Sequence, residues 1–193
     1  HERSRRQRQM CIRDRVDPGS GIKMSIGDNS YQKFTAFHNT GVNELGWSSS
    51  FLLGFWQGDG WRNGMQGEGT TYAFSVGYTP RGGDHEFNFS LIGAGQWHHQ
   101  AYYGTQLQDY LDYGPIQGDD YRKFNALYGD YQGEEFSILR NYYNKPLATF
   151  NWDWEISSRV TLATSLYGSA GRGGGTGLSC LLYTSPSPRD QCL

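Results

Sequence analysis

Strict alternation of large apolar and small or polar residues runs through most of this chain. In Trp47 to Phe55 the odd positions Trp47, Phe51, Leu53 and Phe55 are apolar, and the even ones are mainly Ser and Gly. Tyr72 to Tyr78 alternates Tyr, Phe, Val and Tyr with Ala, Ser and Gly, and Phe87 to Gly93 opens the same way against Asn88 and Ser90. Phe150 to Ile156 is the clearest case: Phe150, Trp152, Trp154 and Ile156 on one face, Asn151, Asp153 and Glu155 on the other. Val160 to Leu166 continues the pattern, and Ile22–Gly27 and Tyr31–Thr40 repeat it more weakly. A period of two places successive side chains on opposite faces of a pleated strand. The chain is therefore predicted to be all-β.

Two homes suit such strands. One is a soluble β-sandwich, for example a Tyr- and Trp-rich carbohydrate-binding module. The other is a membrane β-barrel, whose strands are only half apolar and leave mean hydropathy low. Aromatic residues make up 16% of the chain while mean hydropathy is −0.70. No apolar run approaches the ~20 residues of a membrane helix.

Loop lengths and face chemistry favour the barrel. Gly41–Glu44, Pro80–Asp84 and Ser157–Arg159 are short connections, whereas Gln57–Gly69 and Gln96–Lys145 are long. Short turns on one rim and long loops on the other are the rhythm of outer-membrane barrels; the tight tip at Asp28–Ser30 is the exception. A water-facing sheet surface favours Lys, Glu and Thr, but here the second face is Ser, Gly, Ala, Asn and Asp, which suits a lumen. Trp47, Phe55, Trp56, Tyr72, Tyr78, Trp152 and Trp154 are expected at strand ends, as in interfacial girdles.

The two ends read differently. One back-translation of Cys180–Ser185 has a reverse complement that encodes Met10–Asp14, so both flanks resemble translated sequencing-library adaptor. Segments 1–15 and 179–193 are set aside as expected disordered adaptor, leaving 16–178 as part of a barrel. All three cysteines (Cys11, Cys180, Cys192) fall in the flanks, so no disulfide framework is argued. Of 17 Lys and Arg, 7 lie in the flanks, and of 19 Asp and Glu, 3 do; the remaining 10 and 16 give a net charge of −6. That balance disfavours nucleic acid as a partner.

Four motifs in order resemble TonB-dependent outer-membrane receptors of the Bacteroidetes type. They are Gly58-Asp59-Gly60-Trp61-Arg62-Asn63-Gly64, Gly95-Gln96-Trp97-His98-His99-Gln100, Asn141-Tyr142-Tyr143-Asn144-Lys145-Pro146, and Gly171-Arg172-Gly173-Gly174-Gly175-Thr176-Gly177. The resemblance implies the early barrel strands of such a receptor, with the plug and its coupling box outside this sequence. It further implies active import of a nutrient (metal chelate, cobalamin, glycan or peptide) driven by the TonB energy-coupling complex. Outer-membrane lipid would surround the strands, and a surface lipoprotein is a further candidate partner. A plug-free porin-type barrel is the remaining alternative.

Site residues follow from these readings. The segment from Gln96 to Lys145 holds 9 of the 14 tyrosines, and tyrosine-rich loops supply rigid amphipathic contacts. Trp61, Trp97, His98, Tyr102, Tyr103 and Arg140 are the candidate ligand contacts in external loops. Asn151, Asp153 and Glu155 are the candidate lumen residues. Adjacent His98 and His99 point to opposite faces of a strand and do not chelate one ion. The acidic residues Asp119, Asp120, Asp130, Glu134 and Glu135 fit no calcium-loop spacing. No nucleophile elbow, zinc signature or phosphate loop is present, so neither a catalytic residue nor a cofactor is expected.

Overall fold

The computed structural model describes residues 17–102 and 104–177; the expected adaptor segments and Tyr103 lie outside them. The strands are β1 (Gly19–Ile26), β2 (Gln32–Asn39), β3 (Trp47–Gly58), β4 (Gly67–Tyr78) and β5 (His85–His99). A helix α1 (Leu107–Gln117), a 3-10 turn (Tyr121–Lys123) and the hairpin β6 (Tyr128–Tyr131) and β7 (Glu134–Ser137) follow. The chain then returns through β8 (Arg140–Asn144), β9 (Leu147–Ser157), β10 (Val160–Ser169) and β11 (Arg172–Gly175).

Every pairing is antiparallel, and consecutive long strands are neighbours. The first half of β5 pairs with β9 and its last turn of sheet with β8. The register is common to both, with Ile92 opposite Leu147 and Gln96 opposite Tyr143. So β8 and β9 are one strand interrupted at Lys145 and Pro146, where proline lacks the N–H that a ladder needs. The same holds for β10 and β11, with Ser169 opposite Leu147 and Arg172 opposite Asn144. The wall is thus an open, all-β antiparallel meander, and it does not close into a barrel.

The register sorts the side chains into two faces. Phe51, Phe74 and Leu91 lie in one row, as do Trp47, Tyr78, Phe87 and Trp152. The opposite face carries Ser50, Ser75, Ser90 and Thr149 in one row, and Gly77, Asn88 and Asn151 in another. Residues of this second face from β3, β4, β5 and β9 line a single hollow, so the sheet curls with its polar face inward. The apolar face is outside and uncovered: Ile22 is 74% exposed, Leu53 58% and Leu166 62%. No element packs over either face among the described residues.

Compared with the sequence reading, strands β3, β4 and β5 run further toward the long-loop rim. The connection predicted as Gln57–Gly69 contracts to 59–66, and the one predicted as Gln96–Lys145 to 100–139. Gly58, Gly67 and Gly69 weaken the strand signal, yet their backbones stay in the ladder. The long excursion is not plain loop. It contains α1 and a hairpin, and Pro115 inside the helix had masked the helical signal. Among the predicted girdle residues, Tyr72 sits in mid-strand over Gly93, and Trp56 belongs to the inner face.

Candidate functional site

The inner face forms the first candidate site. Its hollow of about 290 Å³ lies toward the short-turn rim and includes Ser50, Ser75, Glu86, Asn88, Asn151 and Asp153. Alternation puts these residues there, and their small size leaves the space. Ordered pairs fix the lining: Asn88 Nδ2 donates to Ser75 Oγ at 3.1 Å, and Ser165 Oγ to Asn151 Oδ1 at 2.8 Å. The Ser90 and Thr149 hydroxyls are 2.6 Å apart. Asp153 is 7% exposed, the sheet's one buried carboxylate among the described residues. Asn151 and Asp153 meet in the hollow as grouped from sequence. Glu155 shares their face but lies beyond the lining and is exposed. Glu86 and Asn88 were missed, although the alternation through Phe87 and Phe89 placed them on this face.

The long-loop rim forms the second. Loop 59–66 and excursion 100–139 are knitted together by three amides. Asn125, fully buried, donates from Nδ2 to the Asn63 carbonyl at 2.9 Å and accepts from the Leu127 N–H at 3.1 Å. Gln117 Oε1 accepts from the Asn125 N–H at 3.0 Å, and its Nε2 donates to the carbonyls of Asn125 and Tyr128, each at 2.9 Å. The backbone N–H of Asn63 donates to the Lys123 carbonyl at 2.9 Å. Beside this network, Phe124 packs edge-on to Tyr110 and stacks near Tyr113, with ring centroids 5.8 and 6.3 Å apart. Arg62 lies 5.7 Å from the Tyr110 ring centre. Gly64 has φ +68°, and the Tyr128 ring occupies the place its Cβ would take, so only glycine fits. Gln117 and Asn125 were not singled out from the sequence, and Asn63 only within the Gly58–Gly64 motif, because isolated amides carry no pattern.

Trp61 stands on this rim, 52% exposed, in a polar hollow of about 390 Å³ with Asp59, Lys123, Tyr128 and Glu135. Burial pushes the Tyr128 phenol up to about 12, and the neighbouring Glu135 and Asp130 carboxylates add to it. The Asp120 carboxyl is held below its ordinary value, chiefly by the hydrogen bonds from Arg122, at 2.7 and 3.0 Å. Tyr102 is 51% exposed, and its carbonyl accepts from Arg62 and from Thr105.

The remaining predicted loop contacts are not in loops. Trp97 and His98 are in β5, and Arg140 opens β8. Trp97 is on the outer face, where its Nε1 donates to Glu68 Oε1 at 2.8 Å and the Arg140 guanidinium lies 4.3 Å over its ring. His98 faces inward opposite Gly67, while His99 faces outward with its ring 5.3 Å from Trp97. The five predicted contacts among the described residues therefore form no single cluster: Trp61 and Tyr102 are on the cap, Trp97 and Arg140 outside, His98 inside; the sixth, Tyr103, lies outside the described residues.

Fold and sites together define a class: a curled antiparallel wall with a polar inner face, an apolar outer face and a structured cap on one rim. No family model matches the chain, and no curated protein and no solved structure matches it either.

Proposed function

We propose that this chain is part of the wall of a TonB-dependent outer-membrane receptor that imports a nutrient. One observation carries the membrane part of the reading: the face on the outside of the curl is the apolar one, and among the described residues nothing packs over it. Buried apolar residues among those described are Ala101, Phe124 and Leu127, all in the excursion from β5 to β8 and none in the wall. A wall whose strand apolar side chains point outward needs an apolar surrounding. Charges agree. The strand residues Lys23, Lys33, Glu86, Asp153 and Glu155 share the inner face, and the charged wall residues that face outward, Glu68, Arg140 and Arg172, lie toward the long-loop rim.

Two aromatic belts bound the outer face. Near the short turns Trp47 stacks on Tyr78 at 4.3 Å, and the row continues through Phe87 and Trp152 to Trp154 at 6.4, 6.3 and 6.1 Å. Near the long loops Trp97 lies opposite Tyr142. Phe87 and Trp97 are separated by ten residues of β5, about 24 Å at ~3.4 Å per residue and ~45° tilt, against an apolar band of ≈ 25 Å in such barrels. On this reading the inner hollow and the cap serve binding and gating. The receptor family itself rests on the four motifs.

Single cysteines test the reading in cells that make the complete gene product. At Ser50 and Ser75 they should react with a water-soluble maleimide, while at Leu53 and Phe74 they should react only after the membrane is dissolved. Equal reaction at all four would overturn the membrane wall. Binding of the complete product to the periplasmic domain of TonB tests the coupling, and its absence would leave a plug-free barrel.

A further inference from the structure

The charged side chains that the wall strands turn outward gather around one cleft, of about 440 Å³, near the long-loop rim. Its floor follows the register: Phe55 opposite Thr70, Thr70 opposite Gly95, and Asn144 opposite Arg172 on the far side. Gly95 has no side chain and Thr70 a short one, so the floor is a shallow groove between Phe55 and Arg172. Above it Trp97 lies between the Glu68 carboxylate, which accepts its N–H, and the Arg140 guanidinium stacked on its ring.

Arg140 and Arg172 set this cleft apart. Both lie on the outer face, whereas the charges of β1 to β5, β9 and β10 lie inside apart from Glu68 at the rim. The ion pair found among the described residues is Arg122 with Asp120; neither arginine of the cleft has a carboxylate partner there. An unpaired guanidinium beside a lipid-facing surface is costly unless it reaches the headgroup level. Both stand at that level, beside the Trp97 and Tyr142 belt. Guanidinium forks match phosphate oxygens in a bidentate way, and stacking on Trp97 holds Arg140 flat with its N–H edges free of a carboxylate.

We propose that this cleft binds the headgroup phosphate of an anionic membrane lipid between Arg140 and Arg172, with one acyl chain lying along the Gly95 and Thr70 floor. The proposal rests on the membrane reading above and names the lipid chemistry that the wall selects. Complementary charge argues for this occupant: the cleft turns two guanidiniums outward against one carboxylate, Glu68, which already accepts the Trp97 N–H.

The test uses the chain in zwitterionic micelles doped with brominated phosphatidylglycerol or brominated phosphatidylcholine, read by tryptophan quenching, with strand content followed by circular dichroism. Phosphatidylglycerol should quench at roughly thirtyfold lower concentration, given the typical attraction of two basic residues for an anionic lipid. Trp97→Phe should remove the excess quenching, as should Arg140→Gln with Arg172→Gln, while the paired lysine variant retains part of it. Equal quenching by both lipids would overturn the lipid site yet leave the membrane wall standing. Excess quenching that persists in the glutamine pair, or that millimolar inorganic phosphate abolishes, would also overturn it. No quenching by either lipid would overturn the wall and the lipid site together.

Discussion

The wall and the cap solve the burial problem in opposite ways. The cap, made of loop 59–66 and excursion 100–139, encloses Phe124, Leu127 and Asn125 and keeps its amides paired internally. The wall encloses almost nothing apolar. Phe51, Phe74, Phe89 and Phe150 sit on its outside at 38–45% exposure. A region with its own core is held together in water, whereas a region with its apolar side outward is held together by what surrounds it. On the membrane reading proposed above, stability here is two quantities, one set by internal packing and the other by the medium.

The largest expected effect comes from removing the cap's core. Phe124→Ala should cost about 3 kcal/mol of cap stability, by loss of burial and creation of a cavity. Hydrogen exchange should rise through 100–139 and not in β1 to β4; equal loss in both would dissolve the distinction between the regions. Next comes a charge on the wall. Leu53→Arg should destabilise the chain in lipid by about 2–4 kcal/mol in denaturant titration, and Ser50→Arg, on the inner face, by much less. If the two behave alike, the outer face meets no lipid.

Asn125→Ala should cost about 1–3 kcal/mol, since it leaves the Asn63 carbonyl and the Leu127 N–H without their partner. Exchange of the Leu127 amide reads it directly. The smallest effect is one of pH. The folded cap holds the Tyr128 phenol protonated up to about 12, against about 10 for a free tyrosine. Its contribution is therefore complete below pH ~10 and is lost as pH rises through the folded value. The cap's protection factors, which correct exchange for its base-catalysed intrinsic rate, should fall across that window in the native chain and hold in Tyr128→Phe; an unchanged fall in the variant would assign the loosening to another group.

Much of the wall was legible because alternation is a local property. Phe150 to Ile156 announced both its strand and its two faces, and Asn151 and Asp153 were found by parity alone. The cap was not legible. Its helix contains Pro115, and its amides work only through partners far along the chain, such as Asn125 with Asn63. Trp97, His98 and Arg140 were expected in loops because Gly95 and the following polar residues blur the end of β5. In the structure the backbone ladder continues beneath them to His99.

By itself the sequence determined that these segments are strands and which side chains share a face, since both follow from a two-residue repeat in the pleated backbone. It could not decide which face lies within the curl, how β8 and β9 continue one another across Pro146, or that Asn63, Gln117 and Asn125 meet. Those depend on register and on contacts between distant segments, which form only when the strands are assembled side by side.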